Sequence, residues 1–210
     1  LHGQGGSGKT EVVDIIRQVL ARFKLSDAAV ASTNAAAAVI RGETMHSAMR
    51  ISAESSLQLS SLDKGVTPEF MDQYVDLDAL IIDEVSLVQP RLFGALSYRL
   101  CHARRNTCGA DPSLYFAKGY AFGGIPIVIM LGDFMQLAPF EGNNRRVSLL
   151  LPPHEKARDE HCNGYHLFWD CLTHVMFLHG THRFKDMKAK PPTPCPVLPA
   201  LFSYMRDPTH

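Results

Sequence analysis

Apolar residues recur along this chain in two rhythms. Behind a glycine-rich opening, Val12, Val13, Ile16, Val19, Leu20 and Phe23 fall at the spacing of an amphipathic helix. The apolar run at 28–31 predicts a strand, and Asn34 is placed to cap a helix over 35–41. Aliphatic runs at 77–82 and 125–131 read as the best-buried strands, because each is nearly continuous and stops at once on polar or acidic residues. Between them, 89–99 is helical in pattern, with Leu92, Phe93, Leu96 and Leu100 on one face, and 173–178 reads as a further strand. Strands that alternate with helices predict an α/β fold, a mostly parallel sheet flanked by helices. The segment 52–67 is Ser-rich and weakly periodic, so 52–75 is expected to be an exposed excursion from the core. Pro191, Pro192, Pro194, Pro196 and Pro199 exclude helix or central strand. The expected organisation is therefore a domain over 1–187 followed by a Pro-rich irregular segment over 188–210.

Composition narrows the class. Of 210 residues 46% are hydrophobic, and 21 Lys plus Arg balance 21 Asp plus Glu. This is a globular profile that excludes extensive disorder. The longest apolar run, 125–131, is far short of the ~20 residues of a membrane-spanning helix. Five Cys without a repeating spacing predict a reducing, intracellular compartment, nuclear in a eukaryote. The chain opens on Leu1 rather than Met, so sequence is expected upstream. With a net charge of zero, nucleic-acid binding must be argued from local features.

Gly3-Gln-Gly5-Gly6-Ser7-Gly8-Lys9-Thr10 fits the P-loop pattern G-x-x-x-x-G-K-[ST] and runs straight into the first helix. Glycines let successive backbone N–H groups turn inward around a phosphate, and the helix presents its positive end to the same anion. Lys9 is expected to reach the β- and γ-phosphates of ATP, and the Thr10 hydroxyl to ligate Mg²⁺. An aliphatic strand ending in Asp83-Glu84 supplies the second half of such a site. Asp83 would hold the Mg²⁺ shell and Glu84 would polarise the attacking water. After the other long strand comes Gly132-Asp-Phe-Met-Gln136, where Gln136 could touch the γ-phosphate or orient water.

A P-loop serves several kinds of machine, so the remaining segments must discriminate. The P-loop, then Ala31-Ser-Thr-Asn with Gly42-Glu-Thr44-Met-His46-Ser47, then Asp83-Glu-Val-Ser86, then Phe122-Gly-Gly and Gly132-Asp-Phe-Met-Gln136-Leu-Ala-Pro resemble the PIF-type DNA helicases of superfamily 1B. Thr181-His-Arg183-Phe-Lys-Asp186 is similar to a fifth motif, closest to the Helitron-associated branch. The resemblance implies a RecA-like motor domain that hydrolyses ATP with Mg²⁺ and moves 5′ to 3′ on single-stranded DNA. It implies phosphate binding by Gly3, Gly5, Gly6, Ser7, Gly8, Lys9 and Thr10, Mg²⁺ ligation by Thr10 and Asp83, catalysis by Lys9, Glu84, Gln136 and Arg183, and strand contacts from Thr44, His46 and Ser47. Arg183 would have the arginine-finger role. Hydroxyl and imidazole groups suit phosphate contacts that grip without reading sequence. The family's adenine-reading Gln motif would lie before Leu1, and a second RecA-like domain would follow. Phe184 stands where most of the family has Gln. One RecA-like domain alone is expected to bind nucleotide weakly and to unwind nothing.

Other readings stay open. A structural role for His46 and a packing role for Phe122 fit the pattern as well as contacts to DNA do. Neither Cys101, His102 and Cys108 nor His154, His161, Cys162 and His166 has the spacing of a zinc site, and solvated loops are expected. The basic group 99–105 is either a charged loop or a DNA-backbone contact. The alternative to a motor is a nucleotide-binding regulatory module, or a helicase remnant without unwinding activity. A small-molecule kinase is disfavoured because nothing resembles a lid.

Overall fold

A computed structural model describes residues 1–52, 66–104, 119–136, 138–141, 145–154, 159–179, 185–186 and 193–194. In chain order the strands are β1 (His2–Gly3), β2 (Asp27–Ala31), β3 (Glu43–Thr44), β4 (Ala79–Asp83), β5 (Ile127–Met130), β6 (Phe140–Glu141), β7 (Arg145–Arg146), β8 (Phe177–Leu178), β9 (Lys185–Asp186) and β10 (Thr193–Pro194). The α-helices are α1 (Lys9–Arg22), α2 (Asn34–Val39), α3 (Met45–Ala48), α4 (Pro68–Tyr74), α5 (Pro90–Ala103) and α6 (Asp159–Cys171).

The centre is a parallel sheet in the order β3-β2-β4-β5. Alternation along its strands sends side chains to two cores. Val30, Leu80 and Ile82 pack with Met45, Phe70, Phe93 and Leu96 beneath α3, α4, α5 and α6. Ala29, Ala31, Ile81 and Leu131 pack with Val13, Ala37 and Ile40 beneath α1 and α2. Helices thus cover both faces, as the sequence predicts. Past β5 the sheet continues through β1: the Leu1 amine donates to Met130 O at 2.7 Å, His2 bridges Gly132, and β1 pairs in parallel with β8. The strand that feeds the P-loop therefore lies between the strand carrying Gln136 at its end and β8.

Several expectations are corrected. β4 is buried at all its positions, but β5 is only half-buried, because its one long ladder is with β4 and β1 meets only its end. The strand expected over 173–178 is confined to Phe177–Leu178, and Val175 and Met176 are exposed. On α1 Val13 and Leu20 are buried, whereas Val19 and Phe23 are 49% and 70% exposed. Only part of the wide apolar face of α1 turns toward the sheet. The cap of α2 is Thr33, whose hydroxyl accepts from the Ala36 N–H, with Asn34 already in the helix.

The largest correction concerns the excursion expected over 52–75. Residues 53–65 lie outside the described residues, but α4 is no excursion. Thr67 caps it by accepting from the Phe70 N–H, Pro68 opens its first turn, and Phe70 and Tyr74 are 0% and 1% exposed. The Tyr74 hydroxyl donates to Ala48 O at 3.0 Å, and burial pushes the phenol up to about 12. The Pro-rich run contributes β10, paired antiparallel with β9; the rest of 190–199 lies outside the described residues.

Candidate functional site

Parallel pairing brings the carboxyl ends of the strands to one edge of the sheet, where ligands bind in such folds. Register fixes the alignment there: Ala31 faces Asp83 on one side and Thr44 on the other. Gly3 N–H donates to Gly132 O at 3.2 Å, and Val85 N–H donates to Leu131 O at 2.8 Å. These bonds bind the P-loop, the Asp83-Glu84 turn and the Gln136 segment into one cluster.

The P-loop closes on itself through Ser7 N–H donating to Gln4 O, and Gly6 and Gly8 take φ of 83° and 91°. Side chains strongly resist that left-handed geometry, so glycine is required if the amides are to face inward. Lys9 Nζ donates to Gly3 O at 2.7 Å and Gln4 O at 3.2 Å, spanning the loop. Ser7 is 6% exposed, and its buried hydroxyl has no hydrogen-bond partner among the described residues. A buried, unpartnered hydroxyl on a glycine-rich loop spanned by an ammonium suits an anion with several oxygens. Thr10 follows at the start of α1, half-buried.

At the end of β4, Asp83 is 7% exposed, and its Oδ1 accepts from the Glu84 N–H at 2.8 Å. Burial raises its carboxyl above the ordinary range, opposed by that hydrogen bond and by the nearby Lys9 ammonium. Glu84 itself takes φ 51°, a strained value that turns the chain sharply after the strand. A hydroxyl from Thr10 and a carboxylate from Asp83 form the hard-oxygen donor set that Mg²⁺ prefers.

Beyond β5, Asp133 is fully buried. Its N–H donates to Ser86 Oγ at 3.3 Å, its Oδ1 accepts from the Met135 N–H at 3.1 Å, and its Oδ2 accepts from Gln136 Nε2 at 3.4 Å. Gln136 N–H donates to Asp133 O, and its side chain is exposed. Sequence reasoning named Gln136 but gave no role to Ser86 or Asp133. The usable signal was a buried-type strand end followed by an Asp two residues before a backbone N–H, the pattern of an Asx turn.

Thr44, His46 and Ser47 lie at the same sheet edge, on the far side of β2. Thr44 caps α3 by accepting from the Ser47 N–H, and Ser47 Oγ donates to Glu43 Oε2 at 3.2 Å. His46 is half-buried, and desolvation together with the Arg91 charge lowers its pKa. Arg183 lies outside the described residues.

Of the basic group, Arg99 and Arg104 are neither in a charged loop nor free for a backbone contact, and Arg105 lies outside the described residues. Arg99, on α5, is 3% exposed, lies over the Phe70 ring and donates to Arg50 O. Arg104, at the end of α5, donates to Tyr74 O, Leu77 O and Gly123 O. Cys101, expected in a solvated loop, is buried and donates to Tyr120 O. Phe122 packs edge-on against Phe93 at 5.4 Å. Gly123, at φ 67°, lies against the Leu100 carbonyl where a Cβ would collide. The Phe-Gly-Gly turn is thus a packing device.

The family model described as PIF1-like helicase matches residues 1–157. The ATP-dependent DNA helicase PIF1 of Danio rerio is 32% identical over 137 residues, 65% of this chain and 19% of that protein. The ATP-dependent DNA helicase PIF6 of Trypanosoma brucei brucei is 31% identical over 164 residues, 77% of this chain and 18% of that protein. The crystal structure of Pif1 helicase from Candida albicans superposes with a TM-score of 0.69 at 22% identity, covering 98% of this chain and 40% of that one. The chain thus spans about a fifth of the length of these curated relatives, and its RecA-like fold is shared with the part of the Candida albicans structure on which it superposes. On the family match over three-quarters of its length, the chain belongs to the PIF1-like helicases.

Proposed function

We propose that this chain is the nucleotide-hydrolysing part of an ATP-dependent DNA helicase that moves 5′ to 3′ on single-stranded DNA. The observation that carries the reading is the pair of backbone hydrogen bonds, Gly3 to Gly132 and Val85 to Leu131, that gathers Lys9, Asp83, Glu84 and Gln136 at one sheet edge. Such a cluster suits phosphoryl transfer, where catalysis is mostly positioning and charge stabilisation.

In this reading the inward amides of the P-loop bind the β-phosphate of ATP, and the Lys9 ammonium leaves the Gly3 and Gln4 carbonyls to neutralise the γ-phosphate. Thr10 and Asp83 would hold Mg²⁺, which when bound would offset charge on the phosphate oxygens. Glu84, held on its strained turn, takes the proton of the attacking water. Gln136 either touches the γ-phosphate or orients the attacking water, and Arg183 stabilises the charge that develops in transfer.

The strand contacts fall to Thr44, His46 and Ser47. Across the sheet Thr44 lies two strand spacings from Asp83, roughly 10 Å, so a bound strand and the nucleotide share one rigid edge. The single-stranded DNA in complex with Bacteroides Pif1 supports this partner, and the names of the curated relatives support DNA. A second RecA-like domain is expected to close on this edge during the cycle.

The test is unwinding by the full-length protein of duplexes that carry one single-stranded tail. With ATP and Mg²⁺, a 5′-tailed duplex should separate and a 3′-tailed one should not. Separation of the 3′-tailed substrate alone would reverse the polarity. Nucleotide binding with no separation of either would leave a regulatory nucleotide-binding module.

A further inference from the structure

We propose that Asp133 and Ser86 are positioning residues that fix the sense of the Gln136 amide, so that Gln136 presents its carbonyl oxygen Oε1, an acceptor, to the attacking water. This deepens the reading above and rests on it, because it decides between the two roles open to Gln136.

The argument starts from Asp133. It is fully buried, yet it sits one residue past a glycine at the end of a strand, and both its carboxylate oxygens are engaged. Oδ1 accepts from the Met135 N–H at 3.1 Å, a backbone donor that cannot be exchanged for an acceptor. Oδ2 is therefore the oxygen left for Gln136, 3.4 Å from Nε2. A carboxylate oxygen only accepts, so the amide nitrogen must face it and Oε1 must face away. The sense of the amide follows from the chemistry of its partner.

Ser86 supplies the other anchor. Its Oγ, 4% exposed, accepts from the Asp133 N–H at 3.3 Å, three residues after the Asp83 whose strand end carries Glu84. The neighbouring Val85 N–H donates to Leu131 O, so the Glu84 turn and the Asp133 turn are joined at two adjacent residues. The group that takes the proton from water and the group that holds the water are thus set by one network. An outward Oε1 accepts a hydrogen bond from water, whereas it would repel the oxygens of a γ-phosphate.

The test uses the full-length protein and four variants: Asp133→Asn, Gln136→Glu, the two combined, and Ser86→Ala. In Asp133→Asn the Met135 N–H keeps Oδ1, so the new NH₂ faces Gln136 and the amide must turn over. Gln136→Glu sets a carboxylate against a carboxylate. In the double variant the amide NH₂ introduced in place of the Asp133 carboxylate donates to one oxygen of the carboxylate that replaces the Gln136 amide, and the other oxygen again faces outward. Each of those two single variants should lose about ten- to hundredfold in DNA-stimulated kcat, with KM for ATP and affinity for MgADP within about twofold. The double variant should be at least about fivefold faster than either single variant. Ser86→Ala should lose kcat with unchanged MgADP affinity and a thermal midpoint near that of the wild type. Asp133→Asn should also weaken binding of MgADP–AlF₄, which mimics the state of attack, without weakening MgADP.

A double variant no faster than the worse single variant would overturn the proposal, as would Asp133→Asn losing MgADP and MgADP–AlF₄ affinity alike. A wild-type protein that binds no MgADP would overturn the nucleotide reading itself, a result distinct from a failed rescue in a hydrolysing enzyme.

Discussion

The backbone N–H of Glu84 donates to Oδ1 of Asp83 at 2.8 Å, so the carboxylate proposed to hold Mg²⁺ also holds the left-handed turn that presents the proposed base. Asp83 is 7% exposed, and burial raises its carboxyl above the ordinary carboxylate range. The native state then binds more protons than the unfolded state between the two pKa values, and stability falls as pH rises through that window. Above it the cost of the buried charge is present in full. Asp83→Asn, which keeps an acceptor for the Glu84 N–H, should raise the nucleotide-free melting temperature at neutral pH. That gain should shrink as pH falls below the raised carboxyl. The same variant should lose the Mg²⁺-dependent part of nucleotide affinity. Melting curves across pH check the first point and nucleotide titrations with and without Mg²⁺ the second.

Phe70 carries a large share of the main core. It is fully buried, packs against Tyr74 at 5.0 Å, and lies under the guanidinium groups of Arg50 and Arg99. Phe70→Ala should cost about 3–5 kcal/mol in chemical denaturation, the range for an emptied aromatic site. A loss below ~1 kcal/mol would restore the exposed reading of this segment.

Arg104 ties the end of α5 to three carbonyls, and no phosphate is needed to explain it. Arg104→Ala should destabilise the fold by about 1.5–3 kcal/mol, as expected for losing charge-assisted hydrogen bonds. The slope of DNA affinity against salt concentration should stay unchanged, since that slope counts phosphate contacts.

On the strand contact proposed for His46, DNA binding should depend on pH. Burial and the Arg91 charge lower its pKa, so the free protein holds it neutral near neutral pH. A phosphate beside the ring favours the charged form, and binding should take up a proton. Affinity for single-stranded DNA should rise as pH falls from about 8 to 6, and His46→Gln should flatten that rise. An identical pH slope in the variant would assign His46 a structural role.

The nucleotide half of the candidate site is proposed from the sequence because its chemistry is local. A P-loop needs consecutive glycines, a Lys and a Thr in one stretch, and Asp83-Glu84 closes a strand whose aliphatic run is unmistakable. What escaped reading depends on distant partners. Arg99 and Arg104 look like a solvated basic run until α4 and the turn at Gly123 are packed against α5. Phe70 and Tyr74 sit four apart behind a Thr67-Pro68 start, a helix signal masked by the Ser-rich stretch before it. Thr33 and Asn34 are both good caps, and only the backbone decides between them. Ser86 and Asp133 stand within motifs read from the sequence, but their pairing escaped it, because the bond between them joins two strand ends far apart in the chain.

The central claim is tested most directly by the ATPase rate of the full-length protein with and without single-stranded DNA, beside Lys9→Ala. The account predicts that DNA accelerates hydrolysis and that Lys9→Ala lowers the stimulated rate by at least ~100-fold, as for removal of a group that stabilises transition-state charge. A wild-type rate indifferent to single-stranded DNA, or a Lys9→Ala rate close to it, would contradict the account.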